Sequence, residues 1–144
     1  MTTNYWYLNE VTLSEEKVVI RSEFYDSERT IWLNRRDHPE GEPRTLQGHS
    51  IGSWEGETLV VDTTAFADNR SSVAQIGIPS GAGKHVIERL TLSEDGASLL
   101  IDVYMEDPEF LAEPLSTQFT WSYAPHLQLI SAPCSAENAR RFLE

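Results

Sequence analysis

The chain has 144 residues, which is enough for one domain around a single hydrophobic core. Its 11 Lys and Arg against 23 Asp and Glu give a formal net charge of −12, and that negative field repels nucleic-acid phosphates and anionic membrane surfaces. Hydrophobic residues at 40% are ample for a packed core, which argues against wholesale disorder. We therefore expect one folded domain over residues 1–144, with no nucleic-acid or membrane partner.

The sequence shows neither a membrane-spanning segment nor a signal peptide. No apolar run is long enough for a membrane helix, and residues 1–4 have neither the basic nor the hydrophobic region of a signal peptide. The single Cys134 has no partner in the chain for an intramolecular disulfide. These features predict a cytoplasmic protein as written, although an exported form with a removed leader would leave no trace in this sequence.

Apolar and polar residues alternate with a period of two along most of the chain, which indicates half-buried strands. Turn sequences such as Glu55-Gly56-Glu57 and Glu94-Asp95-Gly96 separate consecutive runs and are typical of hairpins. The predicted strands span residues 5–13, 17–25, 29–34, 49–55, 58–66, 85–92, 98–106, 117–123 and 127–131.

Consecutive hairpins build a meander, and so many strands would leave exposed edges unless the sheet curled into a barrel or a sandwich. Our first choice is an all-β fold, a single antiparallel up-and-down β-barrel of the lipocalin-like or calycin-like kind. Residues 135–143 begin with a possible Ser N-cap followed by helix-forming residues, so they predict a short C-terminal helix.

Two long connections interrupt the strands, over residues 35–48 and 67–84. The second is Gly-rich but carries apolar Val73, Ile76 and Ile78, which a purely solvated loop would not need. We expect it to cover the mouth of the barrel and to place Ile76 and Ile78 against a ligand. Its end, Gly81-Ala82-Gly83 before Lys84-His85, lacks the spacing of a phosphate loop, so no nucleotide site is predicted.

Strand alternation predicts which polar side chains point inward. Glu88 shares a strand face with Val86 and Leu90, and a buried carboxylate needs a partner or a proton. His49 shares a face with Ile51, so it is also assigned inward. Asp62 lies in a strand with apolar residues on both faces and is ambiguous.

This pattern predicts a cofactor-independent acid/base enzyme of the isomerase, lyase or cyclase type, acting on a small, largely apolar molecule inside the barrel. In this hypothesis His49 moves a proton, and Asp62 or Glu88 orients it or serves as alternate proton carrier. Tyr123 donates a hydrogen bond to developing negative charge. The residues predicted to hold the ligand are Trp54, Phe119, Trp121, Ile76 and Ile78.

Three alternatives remain open. The inward polar residues could form a buried network that only fixes strand register. The same barrel and aromatic residues could serve a non-catalytic carrier or sensor of the lipocalin-like type. A filled interior would instead indicate a structural or assembly module, and a homodimer is left open in each case.

Other chemistries are poorly supported. The four His show no HxH, HExxH or HxxxH spacing, so a zinc site would need ligands from separate strands, such as His49, His85 and a carboxylate, and no metal site is predicted. Gly48-His49-Ser50-Ile51-Gly52 has the spacing of GxSxG, but that motif needs a strand-turn-helix elbow, whereas a strand follows here. The sequence contains no recognisable cofactor motif.

The segment GHSIGSWEGETLVVDTT over residues 48–64 resembles the core motif, GHSxGxWEGDTLVVDT-like, of a widespread family of bacterial hypothetical proteins. Downstream, VIER at residues 86–89 and MEDP at 105–108 are similar to the family's TER-like strand and DDP-like turn. The resemblance covers roughly residues 29–134, with Glu57 in place of the usual Asp. Many members look exported. The resemblance implies homology and carries no activity with it.

Overall fold

The computed structural model describes residues 7–41, 43–68 and 80–130. One sheet contains eight strands in the order of the chain. These are β1 (Asn9–Leu13), β2 (Lys17–Ser22), β3 (Ser27–Trp32), β4 (His49–Glu55), β5 (Thr58–Thr64), β6 (His85–Leu92), β7 (Ser98–Glu106) and β8 (Leu115–Ser122). The helix within the described ranges is a single 3-10 turn, Phe24–Asp26, so the all-β prediction is confirmed.

The sheet curls into a half-barrel whose two edges are β1 and β8. No pairing joins these two strands in the described part of the chain, so the described strands form a half-barrel and the closed barrel stays a prediction. The prediction of a strand from residue 127 is wrong over 127–130, because the Leu127 amide closes a turn onto the carbonyl of Ala124 and no ladder follows. Residues 127–129 instead line a cavity between the two edges.

The strand pairs are antiparallel except for β3 and β4, which pair in parallel through Ile31 opposite Ser50 and Trp32 opposite Ile51. The expectation of an uninterrupted antiparallel meander is therefore wrong at this point. A parallel pair needs a connection of about a dozen residues or more to return to the same edge, and residues 33–48 provide it.

The hydrophobic core lies on one face of the sheet, called the core face below. Strand register brings alternate side chains of neighbouring strands together there. The buried apolar residues are Val18, Ile20, Ile31, Leu59, Val61, Phe66, Val86, Leu90, Ile101, Val103 and Phe119.

Several predicted features lie outside the described residues. They are the C-terminal helix over 135–143, Cys134, and most of the proposed lid, including Val73, Ile76 and Ile78. Of the part that is described, no helix has the length and apolar character needed to cross a membrane.

Candidate functional site

Three polar residues lie at the same end of β4, β5 and β6: the predicted site residues His49 and Asp62, and His85, which was not among the predicted site residues. His49 begins β4, Asp62 lies near the end of β5, and His85 begins β6. Asp62 is in register with Ile51 and Ile87, which lie two residues from His49 and His85 respectively. Because side chains alternate along a strand, all three polar groups leave the sheet on the face opposite the core. We call this the outer face.

His38, from the connection between β3 and β4, joins these groups into one hydrogen-bonded chain. Its Nε2 is 3.0 Å from Asp62 Oδ1, and its Nδ1 is 2.8 Å from His49 Nδ1. His85 Nε2 lies 3.1 Å from the same Asp62 oxygen. We call His38, His49, Asp62 and His85 the histidine cluster.

The bonding pattern assigns the protons along this chain. Arg35 Nη1 is 3.3 Å from His49 Nε2, and since a guanidinium can only donate, Nε2 accepts. His49 then carries its proton on Nδ1 and donates it to His38 Nδ1. His38 carries its own proton on Nε2 and donates to Asp62, so donors and acceptors alternate without conflict.

Exposure rises along the cluster. His49 is 9% exposed, whereas the side chain of His38 is 22% exposed and those of His85 and Asp62 are 35% and 38% exposed. The hydrogen-bonded chain therefore runs from a buried imidazole to groups that solvent and small molecules reach.

A pocket of about 430 Å³ opens beside the cluster. His38 and His85 line it together with Arg44, Lys84, Ala82 and Gly83. Such a volume is in the range of small-molecule sites. Titratable side chains therefore meet at one open cavity.

Lys84 has an unusual environment in this wall. Burial disfavours its ammonium and lowers the pKa of Lys84, while the nearby Asp107 carboxylate opposes the shift to a smaller extent. The ammonium lies 4.0 Å from the centre of the Phe66 ring. Lys84 is thus a partly desolvated cation at the pocket.

Glu88 lies on the core face, away from the histidine cluster. It forms a buried ion pair with Arg29, whose guanidinium also donates to Ser50 Oγ at 3.0 Å and to Thr63 Oγ1 at 2.7 Å. The predicted need for a partner is met, but the predicted shared pocket of His49 and Glu88 is not found. We call Arg29, Ser50, Thr63 and Glu88 the core-face network.

The predicted aromatic residues lie elsewhere again. Phe119, Trp121 and Tyr123 line a larger cavity, about 1,020 Å³, at the gap between β1 and β8. Tyr123 is 72% exposed, and Trp54 at the end of β4 is 52% exposed. Neither contributes to the pocket at the histidine cluster.

Sequence reasoning missed Arg29, His38, Arg35, Arg44 and Lys84. Composition offered one signal: the connection of residues 35–48 carries Arg35, Arg36, Arg44 and His38 in a strongly acidic chain. The segment is neutral overall, since it also carries Asp37, Glu40 and Glu42, but arginines and a histidine just before a strand that begins with His49 could have been read as part of a site.

Among the described residues, no group of three or more His, Cys, Asp or Glu side chains is arranged to hold a metal ion. The chain matches no protein-family model, and it matches no curated protein and no solved structure. Function therefore has to be inferred from the geometry of the histidine cluster and its pocket.

Proposed function

We propose that the protein is a cofactor-independent acid/base enzyme of the isomerase, lyase or cyclase type, with its active site at the outer-face pocket. The observation that carries the proposal is the hydrogen-bonded chain from His49 through His38 to Asp62, which ends at a cavity lined by His38 and His85. The earlier hypothesis put the ligand inside the barrel, and the proposal moves the chemistry to the opposite face.

The cluster has the parts that proton transfer needs. Imidazole is the side chain best suited to accept and donate protons near neutral pH. His85 takes a proton from a bound molecule at Nδ1, since its Nε2 is bonded to Asp62, and His38 takes one at Nδ1 only when the hydrogen bond from His49 opens. In either ring the Asp62 carboxylate at Nε2 stabilises the resulting imidazolium and holds the ring. His49 extends the chain behind His38, and its Nδ1–H fixes the orientation of the His38 ring.

The test is solvent-proton exchange, which does not require the natural substrate. The protein is incubated in D₂O with a panel of small carbonyl and hydroxy acids, and deuterium incorporation at carbon is measured by mass spectrometry. We expect at least one compound to exchange, and His38→Gln to lower that rate by roughly 10²-fold, the usual scale of acid/base contributions. The matched control is His126→Gln, at an exposed histidine far from the pocket lining, which should leave exchange unchanged. No exchange across the panel, or full exchange in His38→Gln, would refute the proposal.

His49→Gln separates transfer along the chain from direct contact with the ligand. Since His49 is buried and does not line the pocket, its loss should lower the exchange rate by roughly 10-fold to 10²-fold with ligand affinity unchanged. Rate and affinity are read from the concentration dependence of exchange. A variant that changes affinity alone would show that His49 only shapes the pocket.

A second candidate is a lipocalin-like carrier or sensor, which the apolar character of the larger cavity favours. Phe119 and Trp121 line it, together with Leu99 and Leu129. Binding of Nile red, an uncharged fluorescent probe of apolar sites, tests this candidate. Trp121→Ala should weaken binding at least several-fold while His38→Gln leaves it unchanged, and equal binding by both variants would refute the carrier.

A further inference from the structure

The charged side chains that line the outer-face pocket are cationic, and the Asp62 carboxylate lies behind them, bonded to His38 and His85. Arg44 and Lys84 are cations, His38 and His85 can become cations, and no carboxylate lines the pocket among the described residues. The whole chain has 11 Lys and Arg against 23 Asp and Glu, so this grouping runs against its composition. A pocket whose walls carry one sign of charge concentrates ligands of the other sign.

Arg44 keeps its charge available. Its Nη1 donates to the main-chain carbonyls of Phe66, at 3.1 Å, and Ala82. Both partners are neutral, so they fix the guanidinium without neutralising it. A planar, fixed guanidinium is well suited to bind a carboxylate or a phosphate.

Lys84 completes the anion-binding wall. The carboxylate that acts on its pKa is Asp107, which is buried and already accepts a hydrogen bond from the Gly81 amide at 2.8 Å. The ammonium is thus partly desolvated and incompletely balanced. An anion in the pocket would stabilise it.

We propose that the pocket takes a small ligand with a carboxylate or phosphate group, which binds Arg44 and Lys84 while the rest of the ligand reaches His38 and His85. The inference rests on the proposed function, since it names the class of molecule on which the histidine cluster acts. Anchoring the anionic end fixes the distance of the reacting end from the imidazoles.

The probe is pyridoxal 5′-phosphate, which carries an aldehyde and a phosphate on one small ring. The free amine of a lysine adds to the aldehyde carbon, water leaves and an imine forms, and borohydride then reduces the C=N bond to a stable secondary amine. The chain has two lysines, so Lys17, which lies over the Trp32 ring outside the pocket, is an internal control. Peptide mass spectrometry gives the labelled fraction at each.

We expect Lys84 to be labelled at least tenfold faster than Lys17 at pH 7.5, because Arg44 holds the phosphate of the probe beside Lys84 and burial leaves more of the Lys84 amine unprotonated. Arg44→Gln should lower labelling of Lys84 at least fivefold. Arg89→Gln removes the same charge at an arginine paired with Glu55 on the surface, and should change nothing. Equal labelling of both lysines in the unaltered protein would overturn the proposal.

Competition distinguishes the two anions and does not depend on a variant's folding. Inorganic phosphate that protects Lys84 when acetate does not indicates a phosphate ligand, and the reverse indicates a carboxylate. Protection by neither at 100 mM overturns the proposal. Selective labelling of Lys84 without deuterium exchange would support an anionic ligand and contradict the proposed acid/base enzyme. Deuterium exchange that is insensitive to Arg44→Gln would support the acid/base enzyme and contradict the anionic ligand.

Discussion

Two polar clusters share β4, β5 and β6 but lie on opposite faces of the sheet. The core-face network closes on itself: Ser50, Thr63 and Glu88 are each at most 3% exposed, and Arg29 bonds to all three. The histidine cluster is partly exposed and opens on a pocket. Neighbours in sequence, His49 and Ser50, belong to different clusters because consecutive strand residues face opposite ways.

The difference in exposure between the two clusters explains why only the histidine cluster is a candidate active site. In the described residues, no buried side-chain nitrogen or oxygen lacks a hydrogen-bond partner, and the core-face network lies where a ligand in solvent does not reach it. Its charges are compensated internally and fix strands against each other. A site for proton transfer needs groups that reach a substrate, and these are on the outer face.

The largest expected effect comes from opening the core-face network. Glu88→Ala leaves the Arg29 guanidinium buried without its carboxylate, which should lower the free energy of unfolding by about 3–5 kcal/mol. Urea denaturation measures it. Glu55→Gln breaks the exposed pair with Arg89 and should cost less than about 1 kcal/mol. Similar losses in the two variants would show that the network is not a structural element.

A glycine beside the histidine cluster should be nearly as sensitive. Gly48 has φ +70°, and a Cβ there would lie 2.5 Å from the main-chain oxygen of Thr64. We expect Gly48→Ala to lower the free energy of unfolding by about 3 kcal/mol, because the left-handed backbone and the clash act together. Gly56→Ala has similar strain, with φ +62°, but no atom within 4 Å, and should cost about 1 kcal/mol. Equal losses of stability in Gly48→Ala and Gly56→Ala would mean that the backbone before His49 moves to accommodate the added Cβ without cost.

Much of the sheet was predictable. The bounds of β4, β6 and β7 match the predicted spans, and the short turns that follow β4 and β6, around Gly56 and Gly96, are marked by local sequence. The parallel pairing of β3 with β4 was not predictable, because it depends on the path of the connection between them, whose His38 bonds to the distant Asp62. Nothing local to either strand determines that path.

The assignment of His49 to the core face failed for a physical reason. Alternation ranks faces by hydrophobicity, and in β4 the core face carries Ser50 and Gly52 while Ile51 lies on the outer face. Ser50 is buried because Arg29 satisfies its hydroxyl, and Gly52 is needed where Ile31 packs closely. Both choices depend on partners distant in sequence.

A smaller effect than those of Glu88→Ala and Gly48→Ala is expected from Lys84 at the outer-face pocket, as a pH dependence of the free energy of unfolding. The folded-state pKa of Lys84 lies below its ordinary value of 10.5, so the unfolded chain binds more protons between the two values and stability rises with pH there. Lys84→Met removes this dependence. Its stability advantage over the unaltered protein should therefore shrink as the pH rises from 7 toward 10.5, as measured by urea midpoints. A constant difference would contradict the desolvated lysine.

The most direct test of the histidine cluster is the position of the protons on its three imidazoles, measured by long-range ¹⁵N–¹H correlation NMR at pH 8. The account predicts the Nδ1–H tautomer for His49 and the Nε2–H tautomer for His38 and His85, since Arg35 donates to His49 and both other rings donate to Asp62. His126→Gln assigns the remaining histidine. An Nε2–H tautomer at His49, or rapid tautomer averaging at all three rings, would contradict a hydrogen-bonded chain from His49 to Asp62.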